Sequence, residues 1–129
     1  MKIKMKSMND NSLILIAKYQ KYIEYMFVVL NKLPRVEKYN LGNAFKNVMY
    51  SMFNNIMYLN KVSKYKRMEY CNLIDAEICI QRAYIRIMHD LKYIDSKKYM
   101  YAISLLDEIG KILGGYIKFL GMGYVSKNT

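Results

Sequence analysis

Lysine and arginine are the residue types in this sequence with the clearest chemical use. The chain has 21 Lys and Arg against 10 Asp and Glu, which gives a formal net charge of +11. A small domain this basic is typical of proteins that meet polyanions, namely nucleic acid, an anionic membrane surface or an acidic protein. Codon bias can exchange arginine for lysine but does not by itself create net charge. We therefore interpret the charge as a binding property, with nucleic acid as the first candidate.

One short segment concentrates this charge between two predicted helices. Lys61, Lys64, Lys66 and Arg67 occur within seven residues. The segment fits either a solvated turn or an edge that contacts phosphates, and the spacing alone leaves both interpretations open.

Catalytic and metal-binding patterns are not evident. The chain has one histidine, His89, and no Glu-x-x-His pair, which a di-metal helical bundle requires. The neighbouring carboxylates Asp107 and Glu108 would point about 100° apart on a helix. Cys71 and Cys79 lie eight residues apart on one predicted helix, about 12 Å, which is too far for a disulfide. We expect no enzyme activity, no metal and no cofactor.

The compartment can also be inferred from the sequence. Two unpaired cysteines fit a reducing cytoplasm. The basic start of the chain is followed by polar residues rather than by an apolar segment typical of a secretory signal. The longest charge-free stretch, residues 47–60, is too short to span a bilayer. We expect a soluble cytoplasmic protein with no membrane partner.

Apolar residues at helical spacing predict four helices, over 11–32, 41–60, 68–93 and from Asp95 or Ser96 to about 120. Pro34 ends the first helix, 35–40 is predicted as a polar loop, and Asn40 is a candidate N-cap. Long helices joined by short loops predict an all-α, up-down-up-down antiparallel four-helix bundle over 11–120. Residues 1–10 are predicted to be a flexible basic N-terminus and 121–129 a flexible tail.

The third predicted helix has two apolar faces. A core stripe is predicted at Leu73, Ala76, Ile80, Ala83, Ile87 and Leu91. Ile74, Ile78 and Ile85 form a second stripe, which is bordered by Arg82, Arg86, His89 and Lys92. A helix in a monomeric bundle needs one apolar face, so the second stripe predicts an oligomer or partner interface. Isoleucines scattered on a solvated surface are the alternative.

The fourth predicted helix contains glycines that its apolar pattern does not explain. Its seam is Ala102, Leu106, Ile109, Leu113, Tyr116 and Leu120, yet Gly110, Gly114 and Gly115 lie inside it. Each glycine costs about 1 kcal/mol relative to alanine in a helix interior. Gly110 and Gly114 lie side by side at the border of the seam, where another backbone would come close. They are predicted oligomer-interface positions, the alternative being a neighbouring helix of the same chain.

Three segments together resemble one family: 33–35 with 39–42, 82–91, and 106–118. They are similar to the accessory variability determinant (Avd) protein of diversity-generating retroelements, within the four-helix-bundle family related to the ribosomal-RNA intervening-sequence protein. The resemblance covers about residues 13–118. The family more often has tryptophan where Tyr116 stands, and threonine or serine where Asn40 stands; both changes keep the role.

This resemblance implies a ring-like, barrel-shaped homopentamer of basic four-helix bundles. Such a protein is a non-catalytic accessory factor that binds the retroelement reverse transcriptase and template RNA or DNA. It supports error-prone cDNA synthesis and mutagenic retrohoming. Arg82 and Arg86 match the family's basic third-helix positions. The predicted nucleic-acid- or reverse-transcriptase-binding residues are Arg82, Arg86, Lys92, Lys61, Lys64, Lys66 and Arg67.

An alternative function is an oligomeric scaffold of the intervening-sequence type. It would bind protein or ribosomal RNA and have no role in a retroelement. The basic charge and the second apolar stripe fit this alternative as well.

Overall fold

The predicted helical periodicity is present in the structure. The computed structural model describes the backbone of residues 2–128 and the side chains of residues 13–121. These residues form five helices and no strand: α1 (Lys2–Asn31), α2 (Arg35–Tyr39), α3 (Leu41–Leu59), α4 (Lys64–Asp90) and α5 (Ser96–Asn128). The all-α prediction is confirmed. Flexibility of 1–10 and 121–129 stays a prediction, because these segments lie almost wholly outside the described side chains.

Several element boundaries differ from the predictions: α1 begins at Lys2 rather than at 11, α4 ends at Asp90 rather than at 93, and α5 continues to Asn128 rather than to about 120. Segment 35–40 is not only a loop, since it holds the five-residue helix α2. Helix α4 begins at Lys64 rather than near Met68. Most of the basic segment therefore belongs to the first turn of a helix, and Lys61 lies in the connection that precedes it.

The four long helices form a bundle in which α1 and α4 occupy opposite corners. Helices α3 and α5 each pack against both α1 and α4. Short connections between successive long helices make them antiparallel. The connection 60–63 lies at one end of the bundle, here called the apical end. The segments 32–40 and 91–98 meet at the other, the basal end, where Tyr93 donates a hydrogen bond to Glu37 (Oη to Oε2, 3.3 Å).

The apolar seam of α5 lies in the core, as predicted. All six of its residues are buried: Ala102, Leu106, Ile109, Leu113, Tyr116 and Leu120. The glycines between them do not interrupt the helix, because burial of this seam offsets their low helix propensity.

The prediction is wrong about which of the two apolar faces of α4 is buried. Ile74, Ile78 and Ile85 are at most 1% exposed and lie in the core of the chain, so they cannot form an oligomer interface. The stripe predicted as core faces outward, and Ile80 and Ile87 are 43% and 44% exposed. Both faces exist; only their roles are exchanged.

A polar residue, Gln81, interrupts the apolar pattern of the buried face of α4. Gln81 continues the spacing of the buried residues and is fully buried itself. Its Nε2 donates to the Glu77 backbone carbonyl (3.3 Å) and lies 3.2 Å from the Met52 sulfur. Asn55 Nδ2 on α3 donates to Glu77 Oε1 (2.8 Å). These bonds lower the cost of placing polar groups between α3 and α4.

Of the helix ends at the basal end, the start of α3 is the one at which the predicted cap is not formed. Asp95 Oδ1 accepts the Lys98 backbone N–H (2.8 Å), which confirms the predicted cap of α5. Asn40 precedes α3, but its side chain donates to the Val36 carbonyl (2.9 Å) and does not cap α3. After α4, Lys92 has φ 63°, and its N–H bonds to the His89 carbonyl (2.9 Å). This left-handed residue closes the helix as glycine often does.

The exchanged faces of α4 can be tested with two substitutions of the same type. Ile85→Ala removes a fully buried side chain and is expected to lower the free energy of unfolding by about 2–5 kcal/mol. Ile87→Ala removes a half-exposed side chain and is expected to change it by less than about 1 kcal/mol in dilute protein. Urea denaturation followed by circular dichroism measures both. Equal losses would contradict the orientation of α4 described above.

Candidate binding surfaces

The seven predicted contact residues do not form one patch. Helix α4 has 27 residues and is about 40 Å long at about 1.5 Å per residue. Lys61, Lys64 and Lys66 are exposed at its apical end, whereas Lys92 is exposed beyond its basal end. Arg82 and Arg86 lie between these ends. The structure thus divides the predicted site into an apical group, a middle pair and a basal lysine.

The apical group consists of Lys61, Lys64, Lys66 and Arg67. Cations at a helix N-terminus oppose the helix dipole, so folding alone gives no reason for three of them in the first turn of α4. Arg67 has a second role, because it hydrogen-bonds Tyr116 on α5. Burial raises the pKa of Tyr116, and the Arg67 guanidinium opposes that rise. The three lysines are therefore the better candidates for contact with a polyanion.

The middle pair contains one structural and one exposed arginine. Arg82 Nη2 lies 2.6 Å from Asp107 Oδ1, an ion pair that joins α4 to α5. Arg86 is exposed, and no salt bridge to it is found within residues 13–121. Of the two, Arg86 presents its charge to a partner without loss of an internal contact.

The structure also tests the two explanations for the glycines of α5. A Cβ atom on Gly110 would lie 3.7 Å from Arg82 Nη2, an ordinary contact, and one on Gly114 would meet no atom of residues 13–121 within 4 Å. Gly114 is exposed. Close packing on a helix of the same chain therefore does not explain Gly114, and the subunit interface stays as the prediction for this position.

An exposed apolar surface lies on the outward face of α4. It consists of Leu73, Ala76, Ile80, Ala83, Ile87 and Leu91, and we call it the α4 stripe. The first five members alternate steps of three and four residues, the spacing at which helices pack against one another in coiled coils. Its large members are 43–52% exposed. Apolar side chains aligned in this way are typical of a surface that a partner covers.

A group of cations lies at the basal end, and only Lys92 of this group is among the predicted contact residues. It combines residues from segments about 60 positions apart: Lys32, Arg35, Lys38, Lys92, Lys97 and Lys98. Next to it is an open pocket of about 640 Å³ that is lined in part by His89, Lys92, Tyr93 and Lys98. Only the fold brings these segments together, so no local sequence signal could have identified the group.

The described part of the chain offers no evident site for a metal and no membrane span. No cluster of three or more His, Cys, Asp or Glu side chains within residues 13–121 has a suitable arrangement. Among the same residues, no helix is both long and apolar enough to cross a membrane.

Comparison with known families bears on these surfaces. The family model described as bAvd-like matches residues 13–120, a range that includes most of α1, all of α2, α3 and α4, and most of α5. The chain belongs to the bAvd-like family. The resemblance to Avd is thereby confirmed, and an Avd-type accessory role is the coarse function that membership indicates. No curated protein and no solved structure matches the chain.

The two cysteines of this bAvd-like chain report on the α4 surface. Cys79 is exposed, whereas Cys71 is buried and burial raises its pKa to about 11. Because the thiolate is the nucleophile, iodoacetamide near pH 8 is expected to alkylate Cys79 rapidly and Cys71 slowly. Intact-mass spectrometry should show one adduct on the folded protein and two in urea. Equal rates, or a fast adduct that persists in Cys79→Ser, would contradict the burial of Cys71.

Proposed function

We propose that this bAvd-like chain is a non-catalytic accessory protein of a diversity-generating retroelement. It binds the reverse transcriptase and template RNA or DNA through its basic surface, and it supports error-prone cDNA synthesis and mutagenic retrohoming. The observation that carries the proposal is membership of the family over residues 13–120. The net charge of +11 supports the nucleic-acid component.

The proposed contact surface includes Arg86 and the apical lysines. Arg86 and Lys64 are exposed along α4, so a nucleic-acid strand that follows this helix would meet one cation near each end. Contacts from lysine and arginine go mainly to phosphates, and these position a protein without reading sequence. We therefore propose binding with little sequence preference.

The proposed assembly is the ring-like homopentamer. With Ile74, Ile78 and Ile85 inside the core, the interface is reassigned to the α4 stripe and to the neighbouring side of α5, where Gly114 leaves an open surface. The small residues Ala76 and Ala83 of the stripe would let a second helix come close. A ring needs two different surfaces on each subunit, and the stripe supplies one of them.

A scaffold of the intervening-sequence type is the second candidate. The exposed α4 stripe supports the scaffold as much as it supports the retroelement accessory protein, because an apolar interface serves any oligomeric protein. The genomic neighbourhood separates the two candidates: an adjacent reverse transcriptase with template and variable repeats supports the retroelement function, and its absence supports the scaffold.

Nucleic-acid binding through Arg86 can be measured with one charge-removing variant. Arg86→Gln is expected to weaken binding to RNA and to reduce the slope of log affinity against log salt by about 0.7–0.9, the loss of one phosphate contact. Lys111→Gln on α5 removes the same charge from an exposed side chain and should leave the slope unchanged. Fluorescence anisotropy between about 50 and 200 mM salt measures both. If Arg86→Gln and Lys111→Gln give the same slope of log affinity against log salt, Arg86 makes no specific phosphate contact.

The role of Gly114 in assembly can be separated from its effect on folding. Gly114→Ala and Gly115→Ala both add a Cβ atom into open space, so each is expected to raise the unfolding free energy of the monomer by about 1 kcal/mol. Gly114 lies one helical turn beyond Gly110, whose Cβ position is 3.7 Å from Arg82 of α4, whereas Gly115 lies about 100° further around the helix. Analytical ultracentrifugation should show weakened self-association for Gly114→Ala and wild-type behaviour for Gly115→Ala. Wild-type assembly of Gly114→Ala would remove this position from the interface.

A further inference from the structure

The basal end has more positive charge than its internal ion pairs neutralise. Its six cations are Lys32, Arg35, Lys38, Lys92, Lys97 and Lys98, and none of them forms a salt bridge within residues 13–121. Three carboxylates lie beside them, Glu37 and Asp95 in the same segments and Asp90 at the end of α4. Glu37 accepts the Tyr93 hydroxyl, Asp95 accepts the Lys98 backbone N–H, and Asp90 Oδ1 lies 3.8 Å from His89 Nδ1.

The backbone that bears these cations is held by hydrogen bonds. The turn after α4 is closed by bonds from the N–H groups of Lys92 and Tyr93 to the carbonyls of His89 and Met88, at 2.9 and 2.8 Å. The Tyr93 hydroxyl then reaches Glu37 on α2. Lys92 in the turn and the cations of α2 thus have a defined relative position, which is what a binding surface needs.

The pocket formed by the end of α4, the turn after it and the start of α5 has the size of a site for one small polar ligand. Its volume of about 640 Å³ lies within the roughly 300–1,000 Å³ of typical ligand sites. Lys92 and Lys98 are both in its lining. His89 stands at its wall, where its ring stacks on Tyr99 with centroids 4.5 Å apart and its Nε2 lies 3.1 Å from Ser96 Oγ. The lining also contains the carboxylates of Asp90 and Asp95. The two lysines suit a phosphate, and the carboxylates can accept hydrogen bonds from the hydroxyl or amino groups of a sugar or base.

Among polyanions, a single nucleic-acid strand fits this end best. A duplex is a stiff rod that would pass over the pocket, whereas one nucleotide of an unpaired strand can enter it. Tyr39 on α2 is 70% exposed at the same end and offers a ring on which an unpaired base can stack. An acidic polypeptide would use the cations but neither the pocket nor the exposed ring.

We propose that the basal end of this protein binds a single-stranded segment of nucleic acid, with phosphates on Lys92 and Lys98 and one nucleotide in the adjacent pocket. The inference rests on the proposed nucleic-acid function and adds to it a second site, about one helix length from the apical lysines. Lys32, Arg35, Lys38 and Lys97 supply the surrounding positive field.

The test uses the full chain and a fluorescein-labelled oligouridine of about 12 nucleotides. Lys92→Gln/Lys98→Gln is expected to weaken binding at least tenfold at about 50 mM salt and to reduce the salt slope by about 1.4, since each single-strand phosphate contact contributes about 0.7. The control Lys21→Gln/Lys111→Gln removes the same charge from two exposed lysines on α1 and α5. It should leave the slope unchanged. Circular dichroism verifies that both variants fold.

Several results would overturn the inference. If the two double variants lose affinity equally and keep the wild-type slope, the basal end contributes only net charge. If an RNA duplex of equal length competes as well as unlabelled oligouridine, the site does not select a single strand. If polyglutamate competes equally well, the surface fits an acidic polypeptide instead.

The same experiment separates this inference from the proposed function. Wild-type protein that binds no nucleic acid at low salt contradicts both. Wild-type binding that Arg86→Gln weakens and Lys92→Gln/Lys98→Gln leaves intact contradicts the basal site alone. Loss of binding in the basal double variant, with little effect of Arg86→Gln, supports the basal site and removes Arg86 from the contact surface.

Discussion

Burial of one particular face of α4 is the constraint on which the other surfaces depend. Helix α4 lies between α3 and α5, and the face that it turns inward contains Ile74, Ile78 and Ile85. The opposite face is then exposed along its whole length as the α4 stripe. The same rotation places Arg82 against Asp107 on α5 and leaves Arg86 in solvent. A different rotation would exchange the proposed interface, the structural arginine and the proposed binding arginine together.

Side-chain volume and hydrogen bonding explain why this face is the buried one. Isoleucine and methionine side chains fill the space between three helices, whereas Ala76 and Ala83 on the opposite face would leave voids in a close-packed core. Gln81 is tolerated in the core because its side-chain Nε2 donates a hydrogen bond to the Glu77 backbone carbonyl. The Asn55 to Glu77 bond adds a contact that only one alignment of α3 and α4 permits.

Binding and assembly are thus assigned to different parts of one bundle. The α4 stripe and the open surface at Gly114 are apolar or small, which suits contact with another protein. The cations proposed for binding lie at the two ends and beside the stripe, where they stay solvated and accessible. Arg67 and Arg82 show that a basic residue within such a pattern can instead hold helices together, through Tyr116 and Asp107. Charge counting cannot distinguish these roles.

Residues close together in the chain are enough to predict the helical class, the four long helices, the seam of α5, the cap at Asp95 and the resemblance to the family, because these features depend on local spacing and short motifs. Which face of α4 is buried follows only from the packing of the helices, since both faces repeat at helical spacing and differ mainly in volume and in Gln81. Packing also leaves open space beside Gly114, where an added Cβ atom would meet no atom of residues 13–121 within 4 Å. The basal group of cations joins α2 to the turn after α4, and contacts between such distant segments exist only once the helices have packed.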